Sequence, residues 1–259
     1  CTAAITRATP GALTHGACYR ILDKCAEDPD ASQGESKGKW DADGCGTAEQ
    51  ASLQLKQHMR ALRYLCWSTQ PGLRPLTPDM LRKAHAILMR GATTCDGEPV
   101  EAGKYRTRGA QHPTGHVYLE AALVPAAVEL YIQEFNRDAA MGGDSIQLTA
   151  NLLYNLIHLV HPFEDGNRRL GGLLASYALM AGGTPFPVPL SDGHAEPWTH
   201  WEAAIGHCRR RADDSHLYLF LLSCLLQQWR NLEANCAVAV EVALGLDAAA
   251  LSKPNRMTR

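Results

Sequence analysis

Apolar residues between Glu49 and Trp67 fall at Leu53, Leu55, Met59, Leu62, Leu65 and Cys66, a stripe that predicts a helix burying one face. Pro71 and Pro75 end that run. Thr77-Pro78 opens a second helix as N-cap and first-turn proline, continued by Leu81, Ala84, Ile87 and Leu88 to a stop near Gly91. The helical period is then lost. Gly97, Gly103, Gly109, Pro113 and Gly115 stand among Tyr105, Val117 and Tyr118, so residues 103–118 read as a short hairpin or loop. Val124-Pro125 starts a helix to about Arg137, with Val128, Leu130, Tyr131 and Phe135 expected inward. Ile146 to Val160 reads as one long apolar helix, and Asn167 to Met180 as the next, closed by Gly182-Gly183.

A proline-rich loop with Pro185, Pro187 and Pro189 leads to Trp198, and helices are predicted at 198–212 and 216–232. Residues 234–250 are rich in alanine and valine and read as helical; Lys253 to Arg259 reads as a tail. Residues 1–47 carry little apolar period and many turn residues, with a short helix expected around Ala17 to Ala26. The expected fold class is therefore all-α, a helical domain with a short β-hairpin flap before a helix pair. The expected organisation is an irregular N-terminal extension (1–47), the helical domain (48–235) and a C-terminal helix and tail (236–259).

Composition narrows the function classes. A chain of 259 residues, 46% hydrophobic and 20% charged, suits one globular domain with a peripheral extension. A formal net charge of -2 argues against a general nucleic-acid binder. No apolar run reaches the roughly 20 residues of a membrane span; the longest candidate, Leu217 to Leu226, is interrupted by Ser223. The chain starts at Cys1, which reads as a fragment or processed form whose targeting segment could be missing. The compartment therefore stays open, with the cytoplasm the default expectation. Nine cysteines include no Cys-x-x-Cys pair, which argues against a zinc ribbon or thioredoxin-like motif. Four of them precede residue 46, so disulfides there and scattered reduced thiols both remain open.

The candidate chemistry is concentrated in His161-Pro162-Phe163-Glu164-Asp165-Gly166-Asn167-Arg168-Arg169, between the two apolar helices. A helix N-terminus has unpartnered N–H groups and attracts anions. A histidine can accept a proton at neutral pH. A carboxylate beside a phosphate suits Mg²⁺, which binds through one or two carboxylates and phosphate oxygens. The same aspartate could instead serve as an N-cap, with no metal. Together these residue types suit nucleotidyl or phosphoryl transfer.

The stretch resembles the Fic family signature HxFx(D/E)GN(G/K)RxxR: His161, Phe163, Asp165, Gly166, Asn167 and Arg169 match. Gly103-Lys104-Tyr105-Arg106 resembles the Gly-x-aromatic-Arg segment that opens the family's flap, and the element order over 49–232 is similar to its core. The resemblance implies a Fic-like fold and a protein adenylyltransferase, moving AMP from ATP to a Ser, Thr or Tyr hydroxyl of a target protein. It implies His161 as catalytic base, Asp165 as ligand of Mg²⁺, and the N–H groups of residues 166–168 as an anion hole. It further implies a side-chain donor in Asn167, a β/γ-phosphate clamp in Arg169, and His200 and Trp201 beside the base. Tyr105, Arg106, Thr114, Gly115, His116 and Val117 would form the flap to which an extended target segment adds as a strand. The implied partners are a nucleotide and a target protein, with no nucleic acid and no membrane; oligomeric state is not implied.

Two positions depart from the signature. Arg168 replaces the usual Gly or Lys, and Gly172 stands where the second arginine would be. Arg168 keeps its N–H and is expected to compensate in part for the missing charge. UMP or phosphocholine transfer, removal of AMP, and an inactive binding module are the alternative readings. Neither Glu-Gly nor Glu-Asn occurs, so the family's inhibitory glutamate motif is lacking and no intramolecular inhibition of that kind is expected. Phe163 is expected to pack inward and Glu164 to face solvent. His158 and His161, three apart, form a rival His-x-x-His metal pair without an evident third ligand. His112 and His116 are expected to face solvent, and Arg209-Arg210-Arg211 to be a solvated helix end. Packing of Trp201 in the core is a competing role for that ring.

Overall fold

The computed structural model describes residues 48–66, 74–92, 99–191, 197–211 and 213–243, with side chains described between 52 and 236 except at 197 and 198. The expected extension 1–47 with its helix at 17–26, and the tail beyond 243, lie outside the described residues. Among the described residues seven α-helices follow in order: α1 (Ala48–Cys66), α2 (Pro78–Leu88), α3 (Val124–Ala140), α4 (Ser145–Leu153), α5 (Asn167–Ala181), α6 (Pro197–Arg211) and α7 (Ser215–Ala243). A 3₁₀ turn, Ala121–Leu123, leads into α3, and a π-helical segment, Tyr154–Val160, continues α4.

Helix α5 is the centre of the layout. Leu170, Leu173, Leu174, Ala175, Tyr177, Ala178 and Leu179 are all buried, so the helix is apolar on almost every side. Helices α1, α2 and α4 all pack against it, while α6 packs on α7 and α7 against α4. Helix α2 begins as its sequence predicts, with Thr77 Oγ1 accepting from Met80 N at 3.1 Å and Pro78 in the first turn. Asp144 caps α4 in the same way by accepting from Gln147 N at 2.8 Å.

Three side chains tie the connecting segments to this core. Asn136 on α3 accepts from Leu76 N (3.0 Å) and donates to Leu76 O (2.8 Å). Ser176 Oγ on α5 donates to Val188 O and accepts from Val188 N, pinning the proline-rich loop. Tyr177 donates its phenolic proton to Arg74 O.

Two expectations are corrected. The apolar run 146–160 is α-helical only to Leu153 and then widens to π-helix, with His161 N donating to Leu156 O five residues back. On α3 the buried positions are Val124, Val128, Ile132 and Phe135, so Leu130 points outward at 51% exposure. The helical period set by Val128 and Ile132 leaves it on the far face.

The expected hairpin is a bridged turn. Gln111 and Val117 form one isolated antiparallel bridge, supported by His112 N donating to His116 O and Tyr118 N to Ala110 O. Gly115, at φ +87, and Pro113 shape the turn; no strand is present among the described residues. Among those residues, too, no helix is long and apolar enough to cross a membrane, and Cys66, Cys208, Cys224 and Cys236 are in no disulfide. The other cysteines lie outside the described residues, and with them the disulfides left open for that region.

Asn136→Ala would leave both backbone groups of Leu76 without a partner. Each such buried orphan costs roughly 1–3 kcal/mol, so urea denaturation should show a midpoint lowered by more than a typical surface substitution. An unchanged midpoint would refute this role.

Candidate active site

The π-helical turn ends with His161 at φ 50, ψ 64, the single non-glycine residue with positive φ among the described residues. Left-handed backbone is costly for a side chain with a Cβ and persists only where surroundings impose it. Here the surroundings are Arg106, which is 6% exposed. Its Nε donates to His161 O (2.7 Å), its Nη2 to Val160 O (3.0 Å) and to Leu119 O, and its Nη1 to Arg108 O (2.8 Å). Its backbone N donates to Pro162 O at 2.9 Å. Arg106 was expected to meet a target on the flap; instead its fork satisfies carbonyls at the end of the π-turn, which have no partner within the helix.

The His161 ring lies on Tyr118, with centroids 3.9 Å apart and planes at 15°. Its Nδ1 is 3.1 Å from Ile157 O. A carbonyl can only accept, so Nδ1 carries the proton and Nε2 is left as the acceptor. Burial pulls the ring's pKa down to about 4, aided by Arg106 and His112 and opposed by the Ile157 carbonyl and Asp165. The ring is therefore neutral at pH 7 and able to take a proton through Nε2.

Phe163 is fully buried, as expected, between His85 and Tyr105. Asn167 holds the intervening loop. Its Oδ1 accepts from Phe163 N (3.1 Å) and its Nδ2 donates to Phe163 O (2.7 Å). This corrects the expected role of Asn167: the amide is 2% exposed and both its ends are engaged by backbone. Gly166 makes the turn into α5 at φ +78, and a Cβ there would lie 2.6 Å from Met89 Sδ. No side-chain hydrogen bond caps α5, and the first N–H groups of a helix have no carbonyl four residues back within it. The Gly166 N–H is already used, donating to Asp165 Oδ1.

Asp165 Oδ2 is 3.5 Å from Arg169 Nη2, and that guanidinium is held partly buried beside the turn. Arg168 points away from it, to Glu202 of α6 at 3.3 Å. Glu202 is also 3.7 Å from His112 Nε2, so one carboxylate joins the turn, the flap and α6. Glu164 stays near the surface, 3.7 Å from Arg108. A Cβ at Gly172 would meet nothing within 4 Å.

Other expectations change. Trp201 is 5% exposed and its ring meets Phe220 at 5.9 Å, which makes it a core residue. His200 sits on an outer groove between α6 and α7, with His216 and Leu219. His116 and His112 are half-buried, not solvent-facing; His116 stacks on His158 at 4.9 Å. Arg209 is likewise half-buried, with its Nε enclosed. The His158–His161 metal pair finds no support: no group of three or more His, Cys, Asp or Glu is placed for a metal among the described residues. Thr114, Gly115 and Val117 remain exposed on the flap turn, Val117 at 69%. Tyr105 is half-buried against Phe163 and belongs to the packing of the loop.

The sequence reading missed His85 on α2. It is fully buried, stacks on Phe163 with centroids 3.7 Å apart, and uses both ring nitrogens, on Gly103 N and Asp165 O. A histidine within the apolar stripe of Leu81, Ala84 and Leu88 is the only sequence signal, and it names no partner.

Residues 75–179 match the model of the Fic/DOC family. A Fido domain-containing protein of Dictyostelium discoideum is 28% identical over 151 residues, which make up 57% of this chain and 98% of that protein. The protein adenylyltransferase fic-1 of Caenorhabditis briggsae is 33% identical over 133 residues, 46% of this chain and 24% of that much longer protein. The solved structure of Fic-1 from C. elegans shares the fold at a TM-score of 0.61 and 22% identity, covering 92% of this chain and 62% of that one.

Burial holds three histidine rings near this site neutral: His85 and His161 with pKa about 4 and His158 about 3. In the unfolded chain they protonate near pH ~6.5. The unfolded state thus binds more protons below that pH, and stability must fall as pH drops from ~6.5 towards 4, by roughly 1.4 kcal/mol per pH unit for each ring. Denaturant titrations at about pH 7.5 and about pH 4.5 should show the loss, with a shallower slope for His158→Phe. A midpoint independent of pH would contradict the neutral cluster.

Proposed function

We infer the function of this chain from its membership of the Fic/DOC family, carried by residues 75–179, and from the tautomer of His161. We propose that it transfers AMP from ATP to a Ser, Thr or Tyr hydroxyl of a target protein. The observation that carries the proposal is a neutral imidazole whose Nδ1 proton is given to Ile157 O, leaving Nε2 as a base beside the open N-terminus of α5.

In this reading His161 Nε2 takes the proton of the target hydroxyl as its oxygen bonds to the α-phosphorus. The bond from phosphorus to the bridging oxygen breaks, and pyrophosphate leaves. The N–H groups of Asn167 and Arg168 at the start of α5 hold the phosphates, with the Arg169 guanidinium beside them. The site offers one partly exposed carboxylate, Asp165, for a cation. That fits Mg²⁺ held jointly by a carboxylate and phosphate oxygens, and such an ion would neutralise charge on the phosphates. Thr114 to Val117 on the flap turn would position the target segment; a misplacement of about 1 Å can cost on the order of a hundredfold in rate.

One observation favours a second donor. Gly172 opens on empty space and Arg168 is engaged by Glu202, so little cationic charge lies ready for a terminal phosphate. A diphosphate-linked donor would feel this less than a triphosphate.

A donor screen with ATP, UTP, CTP, GTP and CDP-choline against candidate target proteins tests the reading. ATP should label a target, and His161→Ala should abolish labelling; because it also removes the Tyr118 stack and the bond to Ile157 O, an unchanged far-UV circular dichroism spectrum is needed beside it to show that the variant is folded. Undiminished labelling by that variant would end the assignment, and no labelling from any donor would leave a binding module. Gly172→Arg should tighten Mg²⁺–ATP binding, as one added charge-assisted contact is worth roughly 1.5–3 kcal/mol, or on the order of ten- to a hundredfold in Kd. Calorimetric titration reads this; unchanged or weaker binding would show that no terminal phosphate reaches residue 172.

A further inference from the structure

His85 is 0% exposed, lies 80 residues from the turn it touches, and takes no part in the transfer steps above. Its Nδ1 accepts from Gly103 N at 2.9 Å, so that nitrogen carries no proton. The proton then sits on Nε2, which donates to Asp165 O at 2.8 Å. The ring face lies flat on Phe163, with 5° between planes. One imidazole therefore contacts the segment that opens the flap, the residue before the anion turn, and the aromatic plug of the loop.

Both backbone partners come as near as they do because of glycines. A Cβ at Gly103 would be 2.9 Å from Ala86 Cβ and 3.0 Å from Arg82 O, on the same helix as His85. A Cβ at Gly166 would be 3.2 Å from His85 Nε2 itself. Both residues also have positive φ, +81 and +78, which admits glycine far more readily than other residues. Helix α2 thus presses a polar ring into two backbone turns shaped to receive it.

We infer that His85 is a positioning residue for the phosphate-binding turn, fixing the Asp165 carbonyl and the Gly103 amide in one frame so that the first amides of α5 keep their aim. The inference deepens the proposed nucleotide role and rests on it for the ligand, but not for the geometry. His161 lies on the same loop but is held by Arg106, whereas His85 bonds Asp165 O, so His85 acts on the phosphate end of the site and not on the base. Its loss should therefore weaken nucleotide binding more than it slows the transfer step.

His85→Phe keeps the ring stack and removes both hydrogen bonds; His85→Gln keeps a donor and an acceptor. Calorimetry with Mg²⁺–ATP should give a Kd weakened about tenfold for the phenyl variant, the order expected from one lost positioning bond, with much of it regained by the glutamine variant. In transfer assays KM for ATP should rise with kcat little changed. Amide hydrogen exchange without any ligand should accelerate at Gly103 and at residues 165–168 in His85→Phe, while α1 stays protected. Faster exchange there with no nucleotide binding even by the unaltered chain would refute the proposed function and leave the positioning role standing. Unchanged exchange at those amides, or a folded glutamine variant no better than the phenyl one, would overturn the role. Should His85→Phe fail to fold, ¹⁵N spectra of the unaltered chain at about pH 7.5 decide the matter: a ring protonated on Nε2 alone supports the role, and one protonated on Nδ1 overturns it.

Discussion

A helix that stops inside a protein leaves carbonyl groups that must find donors, and the site depends on how this chain meets that demand. The π-turn Tyr154–Val160 ends on His161 in left-handed backbone, with Val160 O, His161 O and Pro162 O all directed at one residue. Arg106 satisfies them from the flap side with a buried guanidinium and its own N–H. A planar fork with several donors can serve carbonyls that diverge, which a lysine could not do. The left-handed residue is thus sustained by hydrogen bonds from a segment 55 residues earlier in the chain.

The loop after His161 is held by a second set of constraints. Phe163 fills the core beneath it, Asn167 closes it across Phe163 N and O, and His85 grips Asp165 O. Four residues of the signature are accordingly structural in part: Phe163, Asp165, Gly166 and Asn167 each have a backbone or packing duty. The proposed transfer would draw on the first-turn amides of α5, the Arg169 guanidinium and His161 Nε2. Rigid support beneath a few exposed groups is the arrangement a reaction needing precise alignment demands.

Helix α6 joins this frame through Glu202, which meets Arg168 and His112 together. These contacts are exposed and individually weak. The Arg168 side chain reaches Glu202 of α6, while a Cβ at Gly172 would meet nothing within 4 Å. In the proposed reaction the departures from the signature at 168 and 172 would act at the terminal-phosphate end of the site.

Local patterns along the chain determined the all-α class, the start of α2 by its cap, and the concentration of chemistry at 161–169, because caps, apolar periods and turn residues act over a few positions. They also placed Phe163 inside and the glycines at the turns. Tertiary structure decided the rest. It widened 154–160 into a π-turn, reduced the hairpin to one bridge, turned Leu130 outward, chose the core for Trp201 from two open roles, and gave Arg106 and Asn167 structural partners. It also brought His85 against Gly103 and Asp165, 18 and 80 residues away. A side chain's type and spacing state which hydrogen bonds it can make, but which backbone groups stand within 3 Å of it depends on how distant helices pack.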